Sequence, residues 1–145
     1  MSRLWALALS CAAISACATP FQRAEPGDFS VSVTDNVEER RFEVVLVSTA
    51  TKPLCLSGES WPDESGKFPL GYEAVVLTTT NGLLHPRASI TAYCPGGCGE
   101  VEIEAGQRLE AIVAYAAFGD AEVIAEDAQR SLEFPVYPYY CSRRR

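Results

Sequence analysis

The chain has 145 residues, 48% of them hydrophobic and 21% charged, enough for one globular domain and too few for two of ordinary size. Twelve Lys plus Arg against nineteen Asp plus Glu leave a net charge of −7, which argues against nucleic acid and anionic lipid headgroups as partners. Nine Pro, ten Gly, six Cys and a single His describe a loop-rich chain poor in the commonest general base and metal ligand.

The first element is a leader. Arg3 supplies a positive charge, and residues 4–16 form an apolar run broken only by Ser10 and Ser15. A run of that length falls short of the roughly 20 helical residues that cross a bilayer, so it reads as a cleaved secretion signal over residues 1–16. It ends in Ile14-Ser15-Ala16-Cys17, an aliphatic residue and two small ones before a cysteine. This resembles the lipobox of bacterial lipoproteins. The resemblance covers residues 1–17 and implies that Cys17 becomes the new N-terminus, carries a thioether-linked diacylglyceryl group and holds the mature protein on a membrane that it does not span. Cys11, after Ala8-Leu9-Ser10, fits the pattern less well, because it leaves an apolar core of only about seven residues. The alternative is an ordinary secreted protein cleaved after Ala16 or Ala18. Ala18 stands where lipoproteins retained at the inner membrane of some bacteria carry Asp, so the expected address is the outer membrane, facing the periplasm.

Residues 18–28, with Pro20, Pro26 and Gly27, read as a tether that completes a lipidated N-terminal segment over 17–28. The domain proper is expected over 29–142, before a basic tail of Arg143 to Arg145. Period-two alternation predicts a strand from Phe29 through Val31 and Val33, then a central one over 41–48 with Phe42, Val44 and Leu46 on one face. Pro53 makes the Leu54-Cys55-Leu56 piece an edge strand or a loop leading into one. After irregular residues 57–71, a strand is predicted over 72–80, turned at Asn81-Gly82, a pair suited to positive φ at both central positions. His85-Pro86 interrupts the partner strand, and alternation resumes over 88–93 before the Pro95-Gly96-Gly97 turn. Residues 100–104 and 108–118 are strands separated by a turn at Ala105-Gly106, 119–129 hold one helical turn, and 131–137 form a last strand, at an edge because of Pro135.

Seven or eight short strands with frequent turns predict an all-β fold, a two-sheet sandwich. The stretch 100–118 resembles the later strands of immunoglobulin-like domains, although the hallmark of two intersheet cysteines around a core tryptophan is not cleanly present, with Trp61 only six residues after Cys55.

With Cys11 removed and Cys17 lipidated, Cys55, Cys94, Cys98 and Cys141 remain, an even number in an exported chain, so two disulfides are expected. The favoured pairing joins Cys94 to Cys98 across the turn and Cys55 to Cys141. On the chain-entropy model the long bridge is worth about 4 to 5 kcal/mol and the short one about 2. The alternatives are a four-cysteine zinc site, disfavoured because Cys55 and Cys141 each stand alone, and a redox pair, disfavoured because three residues, not the usual two, lie between Cys94 and Cys98, at a glycine turn. No metal or other cofactor is expected.

Catalysis would have to use His85, with Ser57 or Ser60 and Asp63, but no G-x-S-x-G elbow surrounds either serine. The adjacent carboxylates read as solvated charge. Trp61-Pro62 and Tyr137-Pro138-Tyr139-Tyr140 remain as recognition candidates, with Trp61, Tyr139 and Tyr140 as the residues most able to meet a partner. The same aromatics equally suit the ends of a sandwich, tied down by Cys141. The leading expectation is a non-catalytic envelope domain that binds another protein or supports envelope organisation. The second is an inhibitor of an exported hydrolase acting through the Cys94–Cys98 loop, and the third is an envelope enzyme.

Overall fold

The computed structural model describes residues 21–89 and 99–141. Its first ladder is a hairpin, β1 (Phe29–Asn36) antiparallel to β2 (Arg41–Ser48), in which Asn36 pairs with Arg41. The turn closes because Asn36 Oδ1 accepts the Glu39 N–H at 3.2 Å and Arg40 takes a positive φ of 51°. β2 also pairs with β7 (Arg108–Ala114), so it is central, as its apolar faces predict. Phe42, Val44 and Leu46 are buried on the inner face. β7 ends at Ala114, short of the strand expected through residue 118, because β2 begins opposite it. The next N–H, on Tyr115, bonds the Arg40 carbonyl at 3.0 Å, and Tyr115–Ala117 tightens into a 3₁₀ turn.

A second sheet has the order β6 (Glu100–Ile103), β3 (Leu54–Ser57), β9 (Tyr139–Tyr140). β3 is therefore central, not the edge that Pro53 suggested: the proline stands just before the first paired residue, where it forfeits no ladder bond, and its carbonyl accepts the Cys141 N–H at 3.1 Å. A third sheet has the order β5 (Gly82–Leu84), β4 (Val76–Thr79), β8 (Ser131–Glu133), with β8 at an edge as expected. β4 starts four residues later than predicted, since Tyr72 to Val75 form a turn closed by Val75 N–H on the Tyr72 carbonyl at 3.1 Å.

The fold is all-β, but its hydrogen bonds make three small antiparallel sheets among the described residues where the alternation suggested two. The last predicted strand is the clearest reason. β8 stops before Pro135, the chain runs on through buried Phe134, Val136 and Pro138, and it re-enters a different sheet as β9. A short helix, α1 (Ala121–Glu126), matches the helical turn foreseen there and is capped by Asp120, whose carboxylate accepts from the N–H of Glu122 at 3.0 Å. All three sheets feed one apolar cluster, including Val44 and Leu46, Leu54 and Ile103, and Leu77, joined by Phe68, Tyr115 and Phe134.

Residues 21–28, counted with the tether in the sequence reading, lie along the domain. Ala24 N–H donates to the Pro138 carbonyl at 2.9 Å, Tyr140 N–H to the Gln22 carbonyl at 2.9 Å, and Arg23 forms a bridge with Tyr139.

Candidate functional site

The residues considered for catalysis are occupied by local structure. Ser57 Oγ accepts the Glu59 N–H at 3.4 Å as the cap of a 3₁₀ turn, Gly58–Ser60, and Ser60 Oγ donates back to the Ser57 carbonyl at 2.8 Å. Asp63 Oδ1 accepts from Ser65 N–H at 2.8 Å, Ser65 Oγ at 2.7 Å and Lys67 N–H at 3.1 Å. Partial burial pushes the Asp63 carboxyl up, but those bonds outweigh it and hold the group below its ordinary value. His85 is exposed in the loop after β5. Ser57, Ser60 and Asp63 thus serve turns and caps.

The loop that Asp63 organises forms one wall of a cleft of about 580 Å³. The other wall is the outer face of β2 and β7, where Arg41, Glu43, Arg108 and Glu110 surround Val45 and Ile112. The charges pair along the strands: Arg41 Nη2 lies 3.1 Å from Glu43 Oε1 and Arg108 Nε 2.5 Å from Glu110 Oε1. Bonds from Asn36 and Arg41 hold the Glu43 carboxyl below its usual range. The loop is clamped to β7 through Gly66, whose carbonyl accepts the Ala114 N–H at 2.9 Å and whose φ of +75° only glycine adopts easily. The cleft thus combines the apolar side chains of Val45 and Ile112 with charges of both signs.

Trp61 is 7% exposed and meets Phe134 edge-on at 5.8 Å, so it serves the core and offers only an edge to this cleft. Tyr139 and Tyr140 are half-buried on β9. The Tyr139 hydroxyl donates to Glu100 and that of Tyr140 to Asp28, with Lys52 Nζ 5.6 Å from the Tyr140 ring centre. Burial, reinforced by Glu100, pushes the Tyr139 phenol up to about 12; the bond to Asp28, with burial, raises that of Tyr140. Tyr137, named only as part of the Tyr-Pro-Tyr-Tyr run, is 57% exposed and together with Tyr139 divides two shallow clefts of about 270 and 440 Å³. Phe21, 72% exposed, packs on Tyr139 at 5.1 Å; sequence reading missed it by assigning it to a tether.

A second missed feature is a part-buried triad. Tyr115 Oη donates to Asp35, and Arg130 Nε lies 2.8 Å from both Tyr115 Oη and Asp35 Oδ2, while Arg130 Nη1 donates to the carbonyls of Ala125 at 3.0 Å and Asp127 at 2.7 Å. Burial, and then the bond to Asp35, push the Tyr115 phenol up to about 12. These residues lie on β1, after β7 and before β8, and no spacing rule links them. Through these bonds the triad ties β1 to the segments after β7 and before β8.

Cys55 and Cys141 form the expected long disulfide, with Cα atoms 5.1 Å apart. That takes two ligands from the zinc alternative, and among the described residues no cluster of three or more His, Cys, Asp or Glu could hold a metal ion. Cys17, the Cys94–Cys98 loop and Arg143 to Arg145 lie outside the described residues. Among the described residues no helix is long and apolar enough to cross a membrane. Comparisons with family models, with curated proteins and with solved structures return no match to this chain.

Proposed function

We propose that this chain is a lipid-anchored cell-envelope protein whose β domain is a non-catalytic module for binding another protein or supporting envelope organisation. The observation that carries the reading is the charged, apolar leader ending in Ile14-Ser15-Ala16-Cys17. The Cys55–Cys141 disulfide supports it, because such bonds persist in an oxidising compartment outside the cytoplasm. Ala18 after the cysteine favours the outer membrane, facing the periplasm, with Cys17 as the lipidated residue. The mixed-charge cleft over β2 and β7 is the surface best formed to take a partner, while Ser57, Ser60 and Asp63 serve turns.

Mass spectrometry of the mature N-terminus should find a diacylglyceryl-modified Cys17, and Cys17→Ser should move the protein from the detergent to the aqueous phase. A native chain that begins elsewhere and stays aqueous overturns the anchor. Crosslinking in intact envelopes should capture a stoichiometric protein partner that is lost on reversing the cleft charges, Arg108→Glu with Glu110→Arg. A catalytic turnover that disappears in His85→Ala would overturn the non-catalytic half.

A further inference from the structure

We infer that the anchored domain stands on the bilayer in one orientation, seated through Phe21, Tyr137 and the edge of Tyr139; this rests on lipidation of Cys17. Three residues separate Cys17 from Phe21, so Phe21 can lie no more than about 14 Å from the anchoring sulfur even when the chain is fully extended. That reach is short. With a hydrocarbon core of about 30 Å in a total of about 40 to 45 Å, each headgroup layer is about 5 to 7 Å deep, so Phe21 stays within that layer or less than about 10 Å above it.

Phe21 is not a loose end at that point. Its ring rests on Tyr139, Arg23 bridges Tyr139, and Ala24 bonds Pro138, so the chain joins the domain as a docked segment. The anchor thus fixes which end of the domain faces the membrane. At that end Phe21 and Tyr137, 72% and 57% exposed, line one cleft of about 440 Å³ with Arg23 and Tyr139. Aromatic rings with a polar tip or edge settle at the headgroup level of a bilayer. Once the lipid is inserted, this contact is intramolecular, so even a weak preference for lipid is sufficient to hold it.

The charges nearby are mixed: Arg23 and Glu100 line the cleft, and Lys52 and Asp28 both lie against Tyr140. Seating is therefore apolar in origin and independent of anionic lipid. The opposite end is well separated. Asp28, bonded to Tyr140, precedes β1, whose eight residues extend about 25 Å to the turn where Arg40 pairs with Glu122 of α1. Val123, 58% exposed on α1, marks that far end.

The test uses the full lipidated protein in phosphatidylcholine vesicles containing a lipid with a nitroxide near its headgroup. Trp61, the only tryptophan left after signal removal, provides the baseline. Flotation with the vesicles reports the anchor alone. Among floating proteins, Tyr137→Trp should be quenched about threefold more strongly than Val123→Trp, with no change on adding salt or phosphatidylglycerol. Adding Phe21→Ser to Tyr137→Trp should bring quenching down towards that of Val123→Trp while flotation persists. Equal quenching at 137 and 123 in a floating protein overturns the orientation and leaves the anchor standing. Failure to float overturns the anchor and this inference with it.

Discussion

The phenol of Tyr115 lies between Asp35, which favours its neutral form, and Arg130, which opposes it. Burial and the bond to Asp35 push it up to about 12, and burial with Glu100 does the same for Tyr139. An unfolded tyrosine ionises near 10, so the native state holds both protons more tightly than the unfolded chain does. Their contribution to stability is complete below about pH 10 and is lost as pH rises towards about 12. Urea midpoints measured across that range should fall with pH, and Tyr115→Phe combined with Tyr139→Phe should flatten the fall. Neither residue carried this signal in the sequence. Tyr115 fell within the strand predicted over 108–118, but its partners Asp35 and Arg130 come from distant segments that only folding brings together.

Among the elements, the loop from Trp61 to Lys67 depends on a single glycine. A Cβ on Gly66 would lie 2.7 Å from the backbone nitrogen of Ala114, and its φ is +75°. Gly106 has nearly the same φ, +76°, but open space around it. Gly106→Ala should therefore cost about 1 kcal/mol and Gly66→Ala about 3 kcal/mol, read by chemical denaturation. The disulfide acts on another element, since β9 has only two residues and is held by Cys141 directly after it. Cys55→Ala with Cys141→Ala removes a crosslink between residues 86 apart and should lower stability by about 4 to 5 kcal/mol on the chain-entropy model, measured against the oxidised protein. Turn chemistry was legible more coarsely. Asn81-Gly82 marked a real hairpin, yet Thr79 pairs with Gly82, so the two turn residues are Thr80 and Asn81, and Asn81 keeps a negative φ. The shift of one residue has a tertiary cause: Asp127 accepts from Thr80 N–H at 2.7 Å and from Thr80 Oγ1 at 2.9 Å, which holds Thr80 in the turn.

For the molecule as a whole, three sheets share one core, so none has an apolar face to retain once the others open. Unfolding should be a single transition, with far-ultraviolet dichroism and Trp61 fluorescence coincident across a denaturant series. Phe68→Ala, which empties a fully buried site between Tyr72 and Phe134, should shift both curves together by about 3 to 5 kcal/mol.

By itself the sequence determined what depends on neighbours along the chain: the alternation that makes β1, β2, β6 and β7, the helical turn within 119–129, and the all-β class. These follow from local sterics, side-chain period and charge. Tertiary structure alone decided which strands share a sheet, that β3 is central, that Trp61 belongs to the core, and that Phe21 and Tyr137 come to one end beside Tyr139. Those outcomes are set by how distant segments satisfy each other's backbone bonds and apolar faces, and no window along the chain contains both halves of such a contact.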